Sequence, residues 1–167
     1  MNIGACSKVN GDDICQSLSN FCLQLTTLDL WRCQSLTSRG VNHLSTLRNL
    51  QDLDLGWCVN VLSSSGCIVT LVNSCANLER LLLSAHRQTS DVDIMAISTQ
   101  LSRSLRQFSC MGSRNISAES IFSLASHCGL LDLLDISYCE NLESRIFQRE
   151  LCSLLPGCHV VTSLNGA

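Results

Sequence analysis

The sequence predicts an α/β solenoid of the horseshoe type, with parallel strands on the concave face and helices on the convex face. Three observations predict it. Leu25-Thr26-Thr27-Leu28-Asp29-Leu30-Trp31-Arg32-Cys33 is answered by Leu50-Gln51-Asp52-Leu53-Asp54-Leu55-Gly56-Trp57-Cys58 and by Leu131-Asp132-Leu133-Leu134-Asp135-Ile136-Ser137-Tyr138-Cys139. Two degraded copies begin at Leu78 and Leu105, so the starts fall 25, 28, 27 and 26 residues apart. Within each copy the apolar period changes from two to about 3.6, as it does where a strand passes into a helix. An L-x-x-L-x-L-x-x-C pattern at that interval defines leucine-rich repeats.

The elements follow in order. Residues 1–24 read as a partial repeat, because Cys6, Val9, Leu18, Cys22 and Leu25 keep the spacing of the next copy only approximately. Ile3 takes the last inward position of a strand whose beginning is missing, so the expectation is a fragment, an alternative product or a truncated chain. Full repeats are expected near 25–49, 50–77, 78–104, 105–130 and 131–157, all within one domain covering 1–167. In the first, Leu28 and Leu30 alternate inward, and Thr37 or Ser38 caps a helix carrying Val41, Leu44 and Leu47. In the second, Ser63, Ser64 and Ser65 precede Ile68, Leu71 and Val72. Thr89 and Ser90 open the third helix before Asp91, where an acid suits the helix dipole. Ser117 and Ser120 open the fourth, which carries Ile121, Leu124 and Ala125. Pro156, the one proline, ends the last helix before a closing strand at 158–163.

Bulk composition excludes several classes. Hydrophobic content of 46% against 15% charge is globular, and a net charge of −3 with scattered arginines argues against nucleic acid as a partner. No apolar run reaches the length of a membrane span, so membrane insertion is not expected. The twelve cysteines contain no C-x-x-C and follow the repeat: Cys6, Cys33, Cys58 and Cys139 at the ninth position, Cys22, Cys75 and Cys128 three residues before a new copy. Small buried thiols in a reducing, intracellular compartment (cytoplasm or nucleus) are expected. His43, His86, His127 and His159 lie in separate repeats without metal-ligand spacing, and no catalytic constellation is present, so neither enzyme activity nor a metal or cofactor is expected.

The candidate site is the concave face, lined by the strand positions that point away from the core. These are Thr27, Asp29 and Trp31; Asp52, Asp54 and Gly56; Arg80, Leu82 and Ser84; Gln107, Ser109 and Met111; Leu133, Asp135 and Ser137. Trp57 and Tyr138 sit one position further, at the rim. Trp31 beside Asp29, Asp52 and Asp54 reads as an aromatic anchor with an acidic surround, suited to a partner segment with an Arg or Lys beside an apolar side chain. Two alternatives stand beside that reading: the tryptophans cover the strand edge, and the aspartates are simply repeat consensus.

L-x-x-L-D-L-x-x-C, followed by a helix that ends in C-x-x-L, resembles the cysteine-containing repeats of the F-box/LRR family. The resemblance covers nearly the whole chain. It implies substrate recognition for an SCF-type (Skp1–cullin–F-box) ubiquitin ligase, with a protein substrate on the repeats and Skp1 and cullin recruited through an F-box. An association with mitochondria is implied by resemblance to one full-length member only, and nothing in these 167 residues supplies an address of that kind. No F-box-like segment is read in this sequence. The alternative is a free-standing repeat scaffold or inhibitor with no ligase role.

Overall fold

The computed structural model describes residues 1–5 and 9–163, so Cys6 of the ninth-position series lies outside the described residues. Six three-residue strands form one parallel sheet in chain order: β1 (Thr27–Asp29), β2 (Asp52–Asp54), β3 (Arg80–Leu82), β4 (Gln107–Ser109), β5 (Leu133–Asp135) and β6 (His159–Val161). Six helices alternate with them: α1 (Gly11–Phe21), α2 (Ser38–Leu44), α3 (Cys67–Ser74), α4 (Asp91–Gln100), α5 (Ala118–His127) and α6 (Arg145–Leu154). Each strand pairs with the next in chain order, and each helix packs on the next, which is the stacking of a leucine-rich-repeat solenoid.

The register explains the core. Leu28, Leu53, Leu81, Phe108, Leu134 and Val160 stand in one row across the sheet and all are buried. Leu30, Leu55, Leu83, Cys110 and Ile136 form a second buried row two residues on. Against them lie Val41 and Leu44, Ile68 and Leu71, Ile94 and Ile97, Ile121 and Leu124, and Phe147 and Leu151 from successive helices. The rings of Phe122 and Phe147 meet at 5.0 Å between centroids.

Helix starts are joined from repeat to repeat. Thr37, Ser90 and Ser117 are the N-caps of α2, α4 and α5, as the sequence indicates. Asp12 in α1 reaches into the next repeat, accepting from Thr37 N at 2.8 Å, Thr37 Oγ1 at 2.7 Å and Gly40 N at 3.1 Å. Asp91 in α4 repeats the device on Ser117 N at 2.7 Å. Burial works against the Asp91 carboxylate, but these donors outweigh it and hold the carboxyl below its ordinary range. The start of α3 differs from expectation. Ser63–Ser65 form one turn of 3-10 helix, and Gly66, at φ +69°, is the cap, a backbone conformation that favours glycine. The closing strand is three residues long, shorter than the stretch 158–163 suggests. At the other end Asn2 bridges to Asp29, and Ile3 N donates to Asp29 O at 2.8 Å, so residues 1–5 run parallel to β1.

Candidate functional site

Side chains that leave the sheet away from the helices form the concave face, and most of the predicted set is there. Thr27, Trp31 and Gln107 are exposed, while Asp29, Asp52, Asp54, Arg80, Leu82, Met111, Leu133 and Asp135 are half-buried. Gly56, Ser109 and Ser137 lie on the same line but are buried, which leaves Ser109, at 4% exposure, little to offer a partner. Ser109 spends its hydroxyl inside the face, 2.8 Å from Ser84 Oγ and 3.3 Å from Asp135 Oδ2.

The aspartates have internal work. Asp29 Oδ1 accepts from Trp31 N at 2.9 Å, Asp54 Oδ1 from Gly56 N at 2.8 Å and Asp135 Oδ1 from Ser137 N at 3.0 Å. In each case the carboxylate takes the N–H two residues on, where the strand ends and no neighbour supplies an acceptor, an Asx-type closure. Arg80 then lies between Asp52, on which Nη1 donates, and Asp54, whose Oδ2 is 3.7 Å from Nη2. Burial pushes the Asp54 carboxyl up, while Gly56 N–H and Arg80 pull it down. The acidic surround thus carries its own cation, and an incoming Arg or Lys competes with Arg80. A second ladder, Glu79–Arg106–Asp132, runs beside it at 4.0 and 3.5 Å.

Trp31 sits over a glycine. A Cβ placed on Gly56 would lie 3.2 Å from Trp31 Cδ1, so the missing side chain makes room for the indole. Arg32 stacks on the same ring, its guanidinium carbon 5.1 Å from the centroid. Trp31 remains 40% exposed, so it covers the strand edge and still presents a face to solvent.

A feature the sequence reading missed recurs where the chain leaves each strand. Arg32, Trp57, Ala85, Gly112 and Tyr138, the eighth residues of successive repeats, all have φ between +57° and +76°. The reason is a hydrogen bond. In that conformation the N–H points along the solenoid, giving Arg32 N to Gly56 O at 2.8 Å, Trp57 N to Ser84 O at 2.8 Å, Ala85 N to Met111 O at 2.7 Å and Gly112 N to Ser137 O at 2.9 Å. Gly112 is the one residue of the five whose type signals such a turn.

The ninth residue then turns inward and bonds back to the preceding repeat. Cys58 Sγ donates to Leu30 O at 3.1 Å, Cys139 Sγ to Cys110 O at 3.3 Å and Ser113 Oγ to His86 O at 3.3 Å. His86 occupies this position in the third repeat, with Nε2 2.8 Å from Leu55 O. A carbonyl partner requires Nε2 to carry the proton, and burial lowers the pKa, so the ring is neutral. Burial pushes the Cys58 and Cys128 thiols up to about 12 and Cys75 to about 11, which keeps them protonated donors and poor nucleophiles. Among the described residues every cysteine is free, and no cluster of His, Cys, Asp or Glu is placed to hold a metal.

A concavity opens at this exit edge, beside the concave face. A groove of about 770 Å³ runs across the second to fifth repeats, with Trp57, Val59 and Val61 at one end and Tyr138 at the other. Ala85 and Gly112 form its floor. Trp57 and Tyr138, placed at the rim by the sequence, are its two aromatic walls.

The fold and these surfaces define the class: a leucine-rich-repeat solenoid, an architecture of protein-interaction surfaces. The chain is 37% identical over 105 residues to F-box/LRR-repeat protein 4 of Bos taurus, which bears out the resemblance to the F-box/LRR family. That match takes in 62% of this chain and 17% of the relative, so the chain spans about one sixth of the relative's length. A solved yeast structure, Rad7 in complex with Elc1, superposes with a TM-score of 0.65 over 91% of this chain and 46% of that one. At 16% identity this likeness concerns the fold. No family model matches the sequence. No helix among the described residues is long and apolar enough to cross a membrane.

Proposed function

We propose that this chain is the substrate-holding part of an SCF-type ubiquitin-ligase receptor, a protein-binding surface without catalytic work of its own. The observation that carries the proposal is the 37% identity to F-box/LRR-repeat protein 4. In receptors of this type the repeats hold the protein to be ubiquitinated. Contact with Skp1 and cullin belongs to the F-box and not to the strands described here. The concave strip supports the reading, since Trp31 and Gln107 are exposed and Leu82, Met111 and Leu133 half-buried, offering apolar and amide groups beside the ion-paired ladders.

A photo-crosslinking residue in place of Gln107 tests this in cells. Proteins captured through it are expected to lose ubiquitin and live longer when the endogenous protein is depleted. Trp31→Ala together with Asp54→Arg is expected to abolish capture; undiminished capture would remove the concave face from the site. Captured proteins whose turnover is unchanged would overturn the ligase reading and leave a free-standing scaffold or inhibitor in its place.

A further inference from the structure

The exit-edge groove has properties that the solenoid itself does not require. The eighth residue of a repeat needs only an N–H and a left-handed backbone, and arginine, alanine and glycine all serve. A non-glycine residue in that conformation costs roughly 1 kcal/mol. At Trp57 and Tyr138 the chain bears that cost with aromatic rings that are 47% and 68% exposed, so neither ring is placed by burial in the core. Val59, 55% exposed, extends the apolar wall. Exposed apolar surface gathered around a concavity marks an interaction site.

The order of residues along the edge shapes the groove. Large, small, small and large follow one another as Trp57, Ala85, Gly112 and Tyr138 in four successive repeats. With strands about 4.8 Å apart, the walls stand about 14 Å from each other, the length of four or five extended residues at about 3.3 Å each. The floor is open at Gly112, where an added Cβ would make one ordinary contact, 3.8 Å from Ala85 Cα. His86 and Thr89 lie buried beneath it.

The charges are unevenly spent. Arg114 is paired with Glu140 at 3.4 Å. Arg87 lines the groove in the third repeat, is exposed, and has no acidic partner among the described residues. The acids of this surface, Glu140 and Glu143, both lie toward the Tyr138 end. Among the described residues an occupant therefore meets an unpaired cation, Arg87, in the third repeat and an unpaired carboxylate, Glu143, toward the Tyr138 end.

We propose that this edge groove, which meets the concave face at Met111, is a second docking site, for an extended segment of a partner protein that carries a carboxylate beside an apolar side chain. One aromatic or branched side chain lies over Ala85 and Gly112 between the two rings, and a neighbouring carboxylate pairs with Arg87.

The test uses the purified full chain and fluorescein-labelled, end-blocked seven-residue peptides. Each peptide carries one phenylalanine and one aspartate separated by zero to three serines, and a matched series carries lysine for aspartate. Fluorescence anisotropy is expected to show at least one aspartate spacing binding tenfold or more tighter than its lysine counterpart, with affinity falling as salt is raised. Arg87→Glu is expected to reverse that preference. Ala85→Arg, which copies the residue that the first repeat carries at this position with the same backbone, is expected to fold and to weaken binding at least tenfold. Trp31→Ala is expected to leave peptide binding unchanged, so failure here and failure of the concave-face reading are told apart.

Equal binding of the two series, absence of binding at every spacing, or binding that survives Ala85→Arg overturns the proposal. So does a dimer of the wild-type chain that Ala85→Arg dissolves in sedimentation, since the groove's occupant would then be a second copy.

Discussion

The concave face and the exit edge are built from neighbouring residues of the same repeats, yet their side chains are committed differently. On the concave face Asp29, Asp54 and Asp135 turn back onto their own backbone, and Arg80 spans Asp52 and Asp54. At the edge the backbones of Trp57, Tyr138 and Arg87 bond to neighbouring repeats, while their side chains are exposed. A residue type that recurs at one position in several repeats solves a problem every repeat has. A residue that departs from its equivalents in the other repeats answers to something else.

The largest effect expected to sharpen this contrast is on stability. Asp54→Ala leaves the buried Gly56 N–H without its acceptor and is expected to cost about 2 kcal/mol. Arg87→Ala at the edge is expected to cost less than about 0.5 kcal/mol, as exposed unpaired side chains do. Urea denaturation of both variants checks the pair, and equal losses would break the comparison.

A smaller effect of opposite sign is expected at Tyr138. Tyr138→Gly relieves a left-handed backbone at a side chain that is 68% exposed, and is expected to raise stability by roughly 0.5–1 kcal/mol. A loss in thermal or urea unfolding would mean that the ring is packed to the benefit of the fold.

The smallest is a pH dependence. Burial lowers the folded pKa of His86 below 6.5, so beneath that pH the unfolded chain binds a proton that the folded chain refuses. Stability is therefore expected to decline as pH falls from 7 toward 5, with His86 contributing in that direction. His86→Cys, which restores the residue found at this position in three other copies of the repeat motif, is expected to remove that contribution. An unchanged slope between pH 7 and 5 would show that His86 is not its source.

The sequence by itself determined the solenoid. Leu28 and Leu30, Leu53 and Leu55, and Leu81 and Leu83 alternate at the strand period, and the caps Thr37, Ser90 and Ser117 stand where each helix begins. These signals are legible because alternation and capping are local, set by residues only a few positions apart. The line of concave residues was legible for the same reason, since the side of a strand is read from parity alone. Tertiary structure decided what each of those residues does. Arg80 meets Asp52 across 28 residues, Trp31 meets Gly56 across 25, and Cys58 meets Leu30 O across 28, all through stacking that only the register of neighbouring strands defines. The left-handed turns at Arg32, Trp57, Ala85 and Tyr138 carry no residue signal, because a hydrogen bond to the next repeat imposes them on residues with no intrinsic preference for that conformation. The groove at the exit edge has the same origin: four residues from four repeats become one surface only when the repeats are stacked.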